Sequence, residues 1–246
     1  MSPDEFRQQL CKHKRLTREL IVERGDPGCE PITKISGVPW WPAGLARPMR
    51  GVGHFMSFMA QIRLSDVPGF ESEDDILISF QYCQQCGYDG NMSFGWDCCS
   101  NKSGYAVSVI SEISSKKSDQ LGAVAEVVIE PHIVTLLDVT EIPGYEETTN
   151  LFPETPDDYP QGEGDYDENI YPGVKHVSRS KLGGWPSWVH NPHPPLTADH
   201  ERLKFIAQLD TPLSEPAAWC GGGYAYLFLI LGSQGTYRGE MVLQPT

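Results

Sequence analysis

The sequence predicts a mainly β fold of the α+β kind, made of internally duplicated antiparallel sheets with an N-terminal helix. Three observations carry that prediction. Residues 33–63 recur at 180–210 at a constant offset of 147 without a gap, so that Lys34, Gly37, Pro39, Trp41, Phe58, Ala60 and Gln61 fall on Lys181, Gly184, Pro186, Trp188, Phe205, Ala207 and Gln208. With 24 Gly and 20 Pro in 246 residues, the chain is punctuated too often for long helices. Between the breaks lie short runs that alternate apolar and polar residues or are wholly apolar, the two patterns of strands. The duplication divides a single 1–246 domain into an N-terminal helix and first repeat half (1–140), an acidic Pro/Gly/Tyr-rich excursion (141–174) and a second repeat half (175–246).

At the N-terminus, Ser2, Pro3 and Glu5 form a capping signature. Phe6, Leu10, Leu20 and Ile21 then fit one helical face, which predicts a docking helix ending near Glu23, before the Gly25-Asp26-Pro27-Gly28 turn. In the first repeat unit Pro39 forces the Gly-x-Pro-Trp portion into a loop, because it fixes its own φ and pushes Val38 out of the helical region. Met56, Phe58, Ala60 and Ile62 alternate with Ser57, Met59, Gln61 and Arg63, a strand with one core face and one mixed face. Further strands are expected at 76–82, 105–110, 124–129, 203–209 and 224–231, with an edge strand at 239–243.

Charge is segregated along the chain. No Lys or Arg lies between Lys117 and Lys175, while that interval holds Asp119, Glu126, Glu130, Asp138, Glu141, Glu146, Glu147, Glu154, Asp157, Asp158, Glu163, Asp165, Asp167 and Glu168. Removing these fourteen from the 33 acids leaves 19 acids against 19 Lys and Arg, so the whole net charge of -14 belongs to one segment. Such a charge disfavours nucleic-acid binding and suits a basic protein partner. Carboxylates interleaved with tyrosines combine steering with contact area, which makes Glu146, Glu147, Asp157, Asp158, Tyr159, Glu163, Asp165, Tyr166, Asp167 and Glu168 the expected partner-binding residues. The sequence holds no apolar run of membrane-spanning length and no apolar signal-peptide core near its N-terminus; with seven cysteines, an odd number, it reads as a cytoplasmic protein with reduced thiols.

Cys83 and Cys86, two residues apart, can share one tetrahedral zinc, with Cys98 and Cys99 as further thiolates of a possible structural site. Buried or semi-exposed free thiols are the competing reading. His190, His193 and His200 match no metal spacing and read as loop histidines. The sequence contains no Gly-x-Ser-x-Gly elbow and no phosphate-cradling glycine pattern, so no catalytic residue is assigned and the chain is expected not to be an enzyme. Trp40, Trp41, Trp185 and Trp188 are expected to plug the repeat loops onto the sheet, and Gln61 and Gln208 to tie those loops down.

At Lys34-Ile35-Ser36-Gly37-Val38-Pro39 with Phe58-Met59-Ala60-Gln61-Ile62, and at Ser180-Lys181-Leu182-Gly183-Gly184-Trp185-Pro186 with Phe205-Ile206-Ala207-Gln208-Leu209, the chain resembles the YwqG-like domain-of-unknown-function family of bacteria. In that pattern Ser36 stands where the first glycine belongs. A more distant echo is the programmed cell death protein 2 family, whose Leu-Gly-Gly-x-Pro-x-Trp run and cysteine pairs are similar to 182–188 and 83–86. The resemblance implies a duplicated, mostly β fold without established catalytic residues. It implies an immunity protein that neutralises a cognate toxin, a basic nuclease effector being the expected partner; the alternatives are a chaperone for a basic ribosomal or nucleic-acid-binding client and a metal-dependent enzyme.

Overall fold

Ten antiparallel strands among the described residues form a mainly β sheet, preceded by one short helix, as the duplication and the turn density predict. The structure is a computed structural model that describes residues 3–49, 56–83, 105–117, 129–152, 177–196, 203–210, 223–231 and 236–244. Helix α1 (Pro3–Leu10) and a 3₁₀ turn (Cys11–His13) lead into β1 (Arg15–Arg24), β2 (Lys34–Ile35), β3 (Ser57–Arg63), β4 (Ile76–Tyr82), β5 (Tyr105–Ser111) and β6 (His132–Glu141). After α2 (Tyr145–Leu151) come β7 (Lys181–Gly183), β8 (Lys204–Asp210), β9 (Tyr224–Leu231) and β10 (Tyr237–Gln244). No helix among the described residues is long and apolar enough to cross a membrane.

The strand order β10-β9-β8-β7-β1-β6-β2-β3-β4-β5 reads as two mirrored halves about the long β1–β6 pair. The first strand of each half is exchanged. β1 lies beside β7 of the second half, with Thr17 opposite Gly183 and Glu19 opposite Lys181, and β6 lies beside β2 of the first, with Ile35 opposite His132. β6 is therefore the topological counterpart of β1. Both halves carry the same irregularity, a register shift between Phe58 and Ala60 and again between Phe205 and Ala207. The edges β5 and β10 approach each other, with the Tyr105 hydroxyl donating to the Met241 carbonyl at 3.2 Å and Gly239 set against Val107.

The expected helix to Glu23 stops at Leu10, and 15–24 is a strand. Its alternate residues Leu20 and Val22 join the core within the sheet, and burial against two neighbours outweighs the helical spacing read from Phe6, Leu10, Leu20 and Ile21. The short helix docks by Phe6 and Leu10 on Ile142, Tyr145 and Phe152. Strand β3 is buried on both faces, including the face expected to be mixed, where Gln61 takes the Trp40 N–H; the Trp40 and Trp41 rings themselves pack on Leu77, Ile110 and Ile113. The strands at 76–82 and 224–231 fall as expected, and those at 105–111, 204–210 and 237–244 nearly so. Residues 124–128 of a further expected strand lie outside the described residues.

Candidate functional site

The repeated motif is a loop clamp. A backbone that leaves a short strand into a Gly-Pro turn has unpaired N–H and C=O groups, and a buried amide supplies the missing partners. Gln61, fully buried on β3, accepts from the Trp40 N–H at 2.9 Å and donates to the Glu30 and Ile32 carbonyls at 2.8 and 2.6 Å. Gln208, its counterpart on β8, accepts from the Ser187 N–H at 2.8 Å and donates to the Ser178 and Arg179 carbonyls at 2.9 and 3.2 Å. Thr33 and Ser180 repeat a second contact, their hydroxyls accepting from the Arg63 and Asp210 N–H groups. The turn itself is left-handed in both copies, with φ of 60° and 75° at Ser36 and Gly37 and 66° and 70° at Gly183 and Gly184. Ser36 thus holds a conformation that favours glycine, with its N–H bonded to the Met59 carbonyl at 2.8 Å. All four repeat-loop tryptophans are buried, as plugs should be.

The copies differ in what their buried lysine meets. Lys34 donates to the Gly28 carbonyl, and burial pulls its ammonium down to about 8, opposed by Cys29, Asp26 and Glu30. Lys181 has acquired a carboxylate. Its ammonium lies 3.1 Å from both oxygens of Glu141 and 3.0 Å from the Ser187 hydroxyl, and the Lys181 and Glu141 side chains are both at 0% exposure. Burial lowers the Lys181 ammonium and Glu141 opposes that shift. Glu141 also accepts from the Trp185 N–H at 2.8 Å and the Val177 N–H at 3.0 Å, so one carboxylate at the end of β6 fixes the start of the second repeat loop.

Beside that loop a cleft of about 570 Å³ opens, in the size range of small-molecule sites. Trp185, Trp188 and Phe228 line it together with Arg15, Glu71, Glu147 and Lys204. The Arg15 guanidinium stacks 3.3 Å from the Trp185 ring centre and donates to the Gly184 carbonyl at 3.3 Å, while the Trp185 indole N–H donates to the His13 carbonyl at 2.9 Å. Lys204 places its ammonium 3.7 Å from the Phe70 ring centre and 3.3 Å from the Gly69 carbonyl. Glu71 accepts from the Gly69 N–H at 2.9 Å, and this bond, with its own backbone N–H, holds its carboxyl below the usual range. Glu147 is buried and accepts from the Trp188 indole at 2.8 Å.

Of the expected partner-binding residues, Glu146 and Glu147 are described, both in the first turn of α2. Glu147 does not face outward. Its carboxylate anchors α2 to Trp188 inside the structure, because an indole N–H in a buried site needs an acceptor. Asp157, Asp158, Tyr159, Glu163, Asp165, Tyr166, Asp167 and Glu168 lie outside the described residues. So do Cys86, Cys98 and Cys99, while Cys83 is buried and packed on Met56 and Ala106. Among the described residues no three metal-ligating side chains cluster. Arg15 and Lys204 were not singled out by sequence, since neither sits in a motif. The available signal was the departure between copies, where Trp185 stands in place of Val38 and gives Arg15 a ring to stack on.

Residues 33–231 match a family model described as a domain of unknown function, DUF1963. No curated protein matches the chain.

Proposed function

The chain belongs to the DUF1963 family, a domain of unknown function, and we propose that this member is a non-enzymatic protein-binding protein that captures a basic partner through its acidic segment. The observation that carries this reading is the segregation of charge. Of the fourteen acids between Lys117 and Lys175, Glu130, Asp138 and Glu141 face Arg24, Arg18 and Lys181 within the sheet, at 2.6, 3.0 and 3.1 Å. The surplus is thereby concentrated at 146–168, a stretch that begins in α2, which Glu147 and the Phe6–Phe152 contact tie to the body of the protein. Negative charge concentrated in this way raises the encounter rate with a basic surface.

In keeping with the YwqG-like resemblance, the partner is a cognate bacterial toxin that this chain binds and neutralises as an immunity protein. A nuclease is the best-matched toxin, because a surface built for phosphates accepts carboxylates in their place. The test is partner binding by the intact chain and by a variant with Asp157, Asp158, Asp165 and Asp167 changed to Lys. The association rate is expected to fall at least tenfold at low salt and its salt dependence to flatten. An unchanged rate and salt slope would sink the assignment, and recovery of many basic clients in place of one would transfer it to a chaperone.

A further inference from the structure

Two cations in the cleft lie near acids without forming a close ion pair: Glu147 and Glu141 act on Arg15, and Glu71 and Lys204 on each other, at longer range. Arg7, Arg18, Arg24, Lys116, Lys181 and Arg238 each lie within 4.0 Å of a carboxylate. Arg15 and Lys204 form no such pair among the described residues. Each instead donates to a single backbone carbonyl, at the long distance of 3.3 Å, and rests on an aromatic ring. A guanidinium has five N–H donors and an ammonium three, so most of the donors of both heads remain available. The ring contacts fix where those heads point, and a pre-positioned cation spends less ordering entropy when a ligand arrives.

Each acid in the same cleft is held by a hydrogen bond from the protein itself. Glu71 accepts the Gly69 N–H and Glu147 the Trp188 indole N–H. Trp185, Trp188, Phe205 and Phe228 line the same cleft, a setting for an apolar, flat body.

We propose that this cleft is a binding site for a small organic anion, with a carboxylate or phosphate head held by Arg15 and Lys204 and an aromatic body against the tryptophan and phenylalanine rings. It is independent of the acidic segment and does not rest on the protein-binding reading.

The experiment is calorimetric titration of the full-length chain with phenyl phosphate, benzoate and inorganic phosphate. Saturable one-site binding of phenyl phosphate or benzoate is expected, with inorganic phosphate weaker for want of the ring, and the tighter of the first two identifies the head. Lys204→Gln, at an exposed position that leaves the fold intact, is expected to weaken binding about tenfold, the loss of one charge-assisted contact, and Arg15→Gln at least as much. A thermal melt confirms that each variant is folded. No saturable heat with either organic anion up to about 10 mM, or Lys204→Gln and Arg15→Gln variants that bind as tightly as the parent, overturns the proposal, and inorganic phosphate binding as tightly as phenyl phosphate removes the aromatic body from it.

Discussion

Changing Glu141 to Gln removes one charge and almost no volume, and it tests whether the buried pair organises the second repeat loop. The carboxylate now receives the Lys181 ammonium on both oxygens at 3.1 Å, the Trp185 N–H at 2.8 Å and the Val177 N–H at 3.0 Å. After the change the ammonium stays at 0% exposure without a counter-charge, and the new NH₂ faces donors on every side. Leaving one member of a buried pair alone costs about 3–5 kcal/mol, so E141Q is expected to lose that much. Lys181→Met strands the carboxylate in turn, but two backbone N–H groups still serve it, and the cost should sit near the lower end of that range. Together the two changes remove both charges, so the double variant should be more stable than the sum of the single costs predicts, by about 2 kcal/mol. Urea unfolding followed by circular dichroism and by fluorescence, with coincident transitions, gives the three free energies. The repeat supplies a control. Lys34→Met deletes a lysine that donates to the Gly28 backbone carbonyl, and it should cost less than Lys181→Met. Additivity of the Glu141 and Lys181 changes within about 0.5 kcal/mol, or equal costs for the two lysines, would refute the reasoning.

Two other outcomes are expected. Gly184→Ala should unfold the second loop or cost at least about 3 kcal/mol more than Gly28→Ala: the positions share nearly the same φ, 70° and 71°, but a Cβ at Gly184 would lie 2.1 Å from Glu141 Oε1 and 2.7 Å from Thr17 Cβ, whereas at Gly28 it meets nothing within 4 Å. For Lys34, whose folded value near 8 lies below the ordinary 10.5, folding at low pH buries a charge and that penalty fades as pH rises from about 8 to about 10.5; the urea midpoint of the parent should therefore gain on that of Lys34→Met between about pH 7.5 and pH 9.5. Buried Tyr226 acts with the opposite sign, since its phenol is pushed above the ordinary value and the unfolded chain ionises first, so both proteins should lose stability beyond about pH 10.

The parts of the fold that sequence made legible are those where the determining contacts recur or lie close by. The clamp of Gln61 on the 30–40 loop announces itself because Gln208 repeats it, and β4 and β9 are runs so apolar that no other element suits them. β1 and β6 were hidden because their neighbours are remote. Thr17 meets Leu182 and Gly183 across 165 and 166 residues, and no local pattern encodes a partner at that distance. β6 was further obscured by apolar residues on both faces, with Val134 and Leu136 packed inward while Ile133 and Leu137 are exposed, which erases the alternation a strand is recognised by. The cleft has the same origin. It is built where the copies stop being equivalent: an exchanged strand delivers Arg15, Glu141 arrives from the far end of β6, and Trp185 replaces Val38. A repeat search weighs identities, yet an identity in both halves can only serve what both halves need, which is the fold. Trp188 and Phe205 in the cleft wall are shared with the first half as Trp41 and Phe58, so what sets this cleft apart from the other copy rests on Arg15, Lys204 and Trp185, which the duplication did not preserve.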